Sequence, residues 1–353
     1  MKRWYLYPFS LGYHLGTSIR NRMFDWGLFS SSKFKTPIIG VGNLSVGGSG
    51  KSPMVMYLAE YLSKYYRTGV LSRGYGRITK GYGIVNYDSN YKLVGDEPMQ
   101  LFERFRNRFV IGVCEDRVYG IQQLLPQHNL ILLDDAYQHR AVKPGFSVLL
   151  FDYTHLNKPH LLLPAGNLRE PFSGRWRADS IIVSKCPDML TEEDQADLAA
   201  IVDPLPYQQL FFTAITYLDL QDMNGNVSAT VIDANTTVFL LTGIANPQPL
   251  IHHLEKYTPD VIHHNYPDHH QFSLKNISKL ADEFEACKSQ KKVIITTEKD
   301  AQRLREQQLL SLVNQLPILV QPIGIKFLNN DGDKFDQSVK NHVREYTEHH
   351  QLH

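Results

Sequence analysis

Residues 37–52 read PIIGVGNLSVGGSGKS, an apolar run at Ile38 to Val41 that turns into a glycine-rich loop ending in Gly50, Lys51 and Ser52. Met54, Leu58, Tyr61, Leu62 and Tyr65 then recur at helical spacing, so the loop opens a helix. Strand, glycine loop and helix in that order build a phosphate site. The glycines let backbone N–H groups curl inward around an anion, and the helix N-terminus adds partial positive charge. Lysine reaches the outer phosphates and serine can hold Mg²⁺. Ser45, Val46, Gly47, Gly48, Ser49, Gly50, Lys51 and Ser52 are therefore the expected nucleotide-binding residues. One position departs from the usual spacing: Ser45 stands where a P-loop has its first glycine, with Gly47 and Gly48 in the middle instead.

Working outward, a second apolar run, Thr68 to Ser72, leads into Arg73-Gly-Tyr-Gly-Arg77, a basic loop at a strand end, where ligands bind in open α/β sheets. A weak hairpin at Tyr82 to Tyr87 precedes Val94-Gly-Asp-Glu-Pro98, in which Pro98 suits the first helical position and Asp96 is either a helix cap or a carboxylate near the phosphate site able to accept a hydroxyl proton. Strands are expected at Phe109 to Val113 and at Asn129 to Leu133. The latter ends in Asp134 and Asp135. Two adjacent aspartates repel unless a cation or donors offset them, and an apolar strand ending in aspartate is the metal-binding half of a P-loop site. Ser52, Asp134 and Asp135 are thus the expected Mg²⁺ residues.

Further strands are expected at Phe146 to Phe151, Ser180 to Ser184 and Gln209 to Tyr217, with an irregular loop at Leu162 to Pro171. Lys185 and Asp188 stand one residue out of register with a guanine-reading motif and argue for no guanine specificity. Gln209 to Tyr217 and Val227 to Ile232, with Asn224-Gly225 between them, suggest a hairpin at a domain boundary. A new α/β pattern follows, with strands at Thr237 to Thr242, Val261 to His264, Lys292 to Thr297 and Pro317 to Val320. It has no second phosphate loop. Its His263, His264, His269 and His270 lack the helix spacing or cysteine partners of a zinc site, and Thr296-Thr-Glu-Lys-Asp300 is either a site or a capped helix start.

At 353 residues the chain has room for two domains, and its formal charge of +1 gives no reason to expect nucleic acid. The three cysteines form no CxxC pair, which fits a reducing compartment. The charge is uneven. Residues 1–35 hold six basic residues against one acid, a local +5 interleaved with aromatic and aliphatic side chains, which suits the surface of an anionic membrane. The alternative is a helix packed on the protein's own core.

Taken together, VGNLSVGGSGKS (41–52), LSRGYGR (71–77), GDEP (95–98), LDDAYQHR (133–140), LLPAGNLREP (162–171), YPDH (266–269) and TTEKD (296–300) resemble the tetraacyldisaccharide 4'-kinases of lipid A biosynthesis, and Ser45 is a habit of that family. The resemblance implies a P-loop NTPase-like α/β/α sandwich, a second and smaller α/β domain joined by a β-ribbon, and an N-terminal amphipathic helix at the cytoplasmic face of the inner membrane. The expected division is a membrane-associating segment (1–35), a P-loop kinase domain (36–217), a ribbon linker (218–233), a smaller α/β domain (234–335) and a polar, frayed tail (336–353). It also implies ATP and Mg²⁺ as cofactors and an acylated disaccharide lipid as acceptor. By the same resemblance Asp96 is implied to take the proton of the 4'-hydroxyl and His269 to pair with Asp96, while Lys51 reaches the outer phosphates and Arg117 and Arg169 are candidates to neutralise phosphate charge. Both His269 and His270 follow Asp268, and the motif favours His269. The rival reading is a P-loop regulator or metallochaperone without a lipid substrate. A fixed carboxylate such as Asp96 has no use in that reading.

Overall fold

Near-continuous apolar runs, as opposed to alternating ones, produce strands covered on both faces. The computed structural model, which describes residues 4–351, has thirteen strands, most of them of this kind. They are β1 (Ile38–Asn43), β2 (Thr68–Ser72), β3 (Gly83–Ile84), β4 (Val110–Val113), β5 (Leu130–Leu133), β6 (Phe146–Asp152), β7 (Ser180–Ser184), β8 (Gln209–Tyr217), β9 (Thr237–Thr242), β10 (Val261–Asn265), β11 (Lys292–Thr297), β12 (Ile318–Gln321) and β13 (Ile323–Phe327). Lys2 and Arg3 of the basic N-terminus, and Leu352 and His353 at the other end, lie outside the described residues.

Two sheets result. The larger has nine strands in the order β13-β8-β7-β6-β1-β5-β2-β4-β3, and the smaller has four in the order β10-β9-β11-β12. Pairing is parallel except at the two ends of the large sheet, where β3 and β13 run antiparallel to their neighbours. β1 lies between β6 and β5, while the helix after it, Lys51–Leu62, carries the chain beyond β5 to β2. The crevice at the carboxyl end of β1 is where such a sheet binds ligands. Gly42 is required there: a Cβ on it would stand 2.6 Å from Cβ of Tyr137, so only glycine lets the segment after the paired aspartates cross over the strand.

Three sequence expectations fail. Val227 to Ile232 forms no strand, and Val227 and Val231 are exposed. The antiparallel partner of β8 is β13, joined through Thr213↔Phe327 to Tyr217↔Ile323, so the ribbon between the lobes is made by the outgoing and returning chain. β-propensity without a neighbour to pack on did not suffice. The weak hairpin at Tyr82 to Tyr87 shrinks to the two-residue β3 on β4. The tail is not frayed but forms a helix, Gly332–Gln351, whose Phe335, Val339 and Val343 recur every fourth residue and sit fully buried beside Phe211 and Phe327 of the first lobe. Its polar composition hid one apolar stripe. Tyr57 donates a hydrogen bond to Asp336 at 2.9 Å and Tyr346 to the Phe34 carbonyl at 2.8 Å, pinning the helix to the large sheet's lobe.

The N-terminal segment is helical from Tyr7 to Asp25, with Pro8 in its first turn, but it is not cleanly two-faced. Tyr7, Leu11, Leu15 and Ile19 are exposed at a spacing of four, a stripe about 120° wide at about 100° per residue, but Arg22 falls inside that stripe and exposed Phe9 outside it. Only Ser10 is buried. The helix touches the lobe through polar contacts, so packing of an apolar stripe on the protein's own core is not what holds it. Among the described residues, no helix is long and apolar enough to cross a membrane.

Phe335→Ala is expected to lower stability by about 3–5 kcal/mol through the cavity left in the first lobe, read as a fall in the denaturant midpoint. An unchanged midpoint would mean that the C-terminal helix docks without completing that core.

Candidate active site

The phosphate loop is held from both sides. Gly47 and Gly50 have φ of 102° and 80°, conformations open to glycine at little cost, and Gly50 is the N-cap of the helix that begins at Lys51. On one flank Ser184 Oγ donates to the Ser49 carbonyl at 2.8 Å, while Lys185 donates to the Gly48 carbonyl and pairs with Asp152 at 2.8 Å. The residue that resembled a guanine reader thus braces the loop's backbone. On the other flank the 162–170 segment closes in: Val46 N–H donates to Asn167 O and Arg169 N–H to Leu44 O, each at 2.7 Å, with Ser45 bridged to Leu168. At Ser45 the chain is pairing with this segment, which accounts for a side chain where other P-loops turn on glycine.

Beneath the loop, Lys51 Nζ lies 3.1 Å from Asn43 Oδ1 and 3.5 Å from Asp135. Arg169 grips both oxygens of Asp135, at 3.0 and 3.1 Å, and also donates to Asn43. Burial alone would raise the Asp135 carboxyl, but the Arg169 hydrogen bonds and the charges of Lys51 and Arg169 outweigh it and bring it to about 2. Asp134 is in the opposite position. Its Oδ2 accepts from Ser72 at 2.9 Å, its Oδ1 is buried without a partner, and burial, followed by the charges of Glu97 and Asp135, pushes it up to about 6. A lone buried carboxylate oxygen with excess negative charge around it is a fitting donor for a hard cation. Asp135 already accepts from Arg169 on both oxygens, each with a further lone pair open. Arg117 is 2% exposed and donates to the carbonyls of Cys114 and Asp134, so it braces the ends of β4 and β5 under the aspartates.

The second lobe reaches this crevice with two segments. The loop after β10 brings His269, at φ 60°, so that Nδ1 lies 2.8 Å from Asp96 Oδ2. The helix Glu298–Leu304 brings Arg303, which donates to the same oxygen, and Lys299, which pairs with Glu97 at 2.7 Å. Glu97 in turn accepts from Ser52 Oγ at 2.6 Å. Asp96 is the first residue of the helix Asp96–Phe105, with Gly95 at its N-cap, so Pro98 falls at the third helical position and not the first. Burial would raise Asp96, but hydrogen bonds from His269 and Arg303 hold it below the usual carboxylate range, while the bond to Asp96 raises His269. The sign of each shift bounds the contact. Asp96 supports it above its ordinary pKa and ceases to as pH falls through its depressed value, and His269 supports it below its ordinary pKa and ceases to as pH rises through its elevated one.

Sequence reading placed Lys51, Ser52, Asp96, Asp134, Asp135, Arg169 and His269 together, and all line this crevice. It missed Arg303, Lys299, Glu97 and Asn43. The capped start at Thr297 was visible, but nothing in the one-dimensional pattern says that the helix behind it points its second turn at another lobe. The four histidines do not converge: His263 bonds Thr242, His264 pairs with Glu283, and His270 bonds Asn276. A cavity of about 460 Å³ at the amino ends of β2 and β4, lined by Thr68, Tyr87 and His128 among others, lies at the opposite end of the sheet from this chemistry.

Comparison with known proteins bears on this arrangement. Residues 2–344 match the family model described as tetraacyldisaccharide-1-P 4'-kinase. The chain is 41% identical to the tetraacyldisaccharide 4'-kinase of Bacteroides thetaiotaomicron, with 97% of this chain and 94% of that one aligned, and 41% identical to that of Flavobacterium johnsoniae, with 97% and 98% aligned. Its structure is similar to crystalline LpxK from Aquifex aeolicus in complex with ATP, at 26% identity and a TM-score of 0.75 over 97% of this chain and all of the other.

Gly50→Ala would force a Cβ onto a left-handed residue 3.2 Å from Ser184 Oγ. The expected cost is about 1–2 kcal/mol of stability, with weakened nucleotide affinity in titration calorimetry. Wild-type affinity would show that the loop binds without this backbone shape.

Proposed function

The chain belongs to the tetraacyldisaccharide-1-P 4'-kinase family, and on that premise we propose how its residues carry out the transfer. The protein is a kinase that uses ATP to phosphorylate the 4'-hydroxyl of a tetraacylated disaccharide 1-phosphate in lipid A biosynthesis.

Phosphoryl transfer asks an enzyme mainly for placement and charge stabilisation. The loop from Ser45 to Ser52 cradles the phosphates, and Lys51 reaches the outer ones. Arg169, fixed on Asp135 and Asn43, adds positive charge beside them. Ser52 and Asp134 would hold Mg²⁺, with Asp135 keeping Lys51 and Arg169 aligned. An ion held there would offset the negative charge of the phosphates. Arg117 acts through position, by holding the strand end that carries Asp134. Asp96 is the general base: the 4'-hydroxyl gives up its proton to the carboxylate as its oxygen bonds to the γ-phosphorus and the bond to ADP breaks. The observation that carries this role is the 2.8 Å contact between Asp96 and His269 across the two lobes. A base assembled only when the lobes meet excludes water at the moment ATP is committed.

The acceptor is a lipid, and the N-terminal helix supports docking on a membrane surface at its cytoplasmic face. Phe9, Leu15 and Trp26 are 68%, 64% and 71% exposed, and Arg20 and Arg22 lie among them. The helix is also tied to the site. Ser10 Oγ donates to the Leu162 carbonyl and accepts from Ala165 N–H, and Tyr13 donates to the Arg169 carbonyl. A surface-bound helix therefore rests on the segment that holds the phosphate loop. The regulator or metallochaperone reading finds no support, since the histidines it would use have separate partners.

Asp96→Ala is expected to cut γ-phosphate transfer to a detergent-dispersed acceptor by about 10²–10⁴-fold with ATP affinity kept. Loss of ATP binding at an unchanged rate would make Asp96 a binding group instead. Replacing Phe9, Leu15 and Trp26 together by Ser should release the protein from anionic vesicles in a flotation assay. Unchanged partitioning would remove the helix from the membrane-docking role.

A further inference from the structure

Arg303 is buried to 1% exposure, yet it lies outside the apolar core of its own lobe. Its Nη1 donates to Asp300 Oδ1 at 2.8 Å and to the Gly243 carbonyl at 2.9 Å. Asp300 is itself fixed, since its Oδ2 accepts from Gly243 N–H at 3.0 Å and from Thr297 Oγ1 at 2.7 Å, and it is fully buried. One side of the guanidinium is therefore set by second-lobe groups alone, before the first lobe contributes anything. The other side leaves the lobe. Nη2 donates to Asp96 Oδ2 and lies 3.3 Å from His269 Nδ1. A purely structural arginine would be satisfied by Asp300 and the Gly243 carbonyl.

Both second-lobe groups converge on Oδ2 of Asp96, and among the described residues nothing bonds Oδ1. We propose that Arg303 is a positioning residue for the transfer: preset by Asp300 and Gly243, it engages Oδ2 of Asp96 as the lobes meet, so that Oδ1 alone faces the acceptor hydroxyl and the base is held ionised in one orientation. This rests on the reading of Asp96 as the base. The charges agree with it. Asp96 and Asp300 set two carboxyl groups against one guanidinium, and His269, raised by its bond to Asp96, is the other basic group on Asp96. The other ionisable groups facing Asp96 are the Lys299–Glu97 pair, Asp268 at 3.8 Å from His269 Nε2, and Tyr91. An arginine beside a carboxylate lowers its pKa by about 1–3 units, and its planar fork sets direction in a way lysine cannot.

The test is steady-state transfer by the full-length protein from ATP to the acylated disaccharide 1-phosphate in detergent, with kcat, both KM values and pH profiles for Arg303→Gln, Arg303→Lys, Asp96→Asn and the double variant Asp96→Asn/Arg303→Gln. Arg303→Gln should lose about 10²-fold in kcat, as a misplaced reacting group does, with KM for ATP kept and the acid limb of the profile raised by about 1–3 units. Arg303→Lys should restore the acid limb but not kcat. In the double variant the rate should fall no further than in Asp96→Asn alone, because Arg303 acts through the group already removed. Multiplying losses, or a wild-type kcat and acid limb in Arg303→Gln beside a slow Asp96→Asn, would overturn the proposal and leave the base standing. A wild-type rate in Asp96→Asn would remove the base and the proposal together. Should Arg303→Gln not fold, kcat of Arg303→Lys decides, a wild-type value overturning the assignment.

Discussion

The carboxylate of Asp96, 8% exposed and met from across the crevice by an imidazole and a guanidinium, is the contact on which the arrangement turns. A buried ionised carboxylate costs several kcal/mol unless it is paired, and removing one partner of such a pair costs about 3–5 kcal/mol. Each lobe is therefore incomplete at this point without the other. The same meeting surface joins Lys299 to Glu97 and Glu298 to Arg104, the latter at 3.4 Å. Helix Glu298–Leu304 lies along helix Asp96–Phe105 with charges of both signs facing their opposites. The contact is polar, and polar contacts between lobes open more readily than apolar ones. That suits a machine that must admit a lipid and release it.

Much of this was legible one residue type at a time. The phosphate loop, the paired aspartates and the large parallel sheet follow from apolar runs that end in glycine or aspartate, a local pattern with a local cause. The pairing of Asp96 with His269 was legible only through the family resemblance, since 173 residues separate the two. Arg303 was not legible at all. An arginine on a helix is usually a solvated cation, and burial of this one depends on Gly243 and Asp300, which depend in turn on how β9 and β11 place their ends. The two carboxylates expected at a metal also looked alike in sequence and differ in space. Asp135 is paired with Arg169 through both oxygens, whereas Asp134 keeps an unpartnered oxygen. Both follow β5 in a turn, with Asp135 at a φ of 49°, so the turn of the backbone gives equal chemistry unequal surroundings.

The ends of the chain misled for a different reason. Composition described the last residues as a polar tail, yet three apolar residues at a spacing of four are enough to bury a helix face. At the other end, apolar and basic residues promised a two-faced helix. The helix that forms is bare over most of its circumference and held by hydroxyls and amides. Composition reports what a segment contains, while its periodicity decides what the segment can cover.

The route of the chain between the lobes has a consequence for the order of assembly. The chain leaves the large sheet through β8 and rejoins it through β13, and only afterwards supplies Phe335, Val339 and Val343 to the core that already holds Phe211. The four-stranded lobe is thus an insertion, complete in sequence before its host is. On a ribosome the nucleotide-binding lobe must wait for the helix Gly332–Gln351 to seal its interior. By then the lobe that carries His269 and Arg303 has been synthesised in full, so the phosphate loop is never finished without its counterpart at hand.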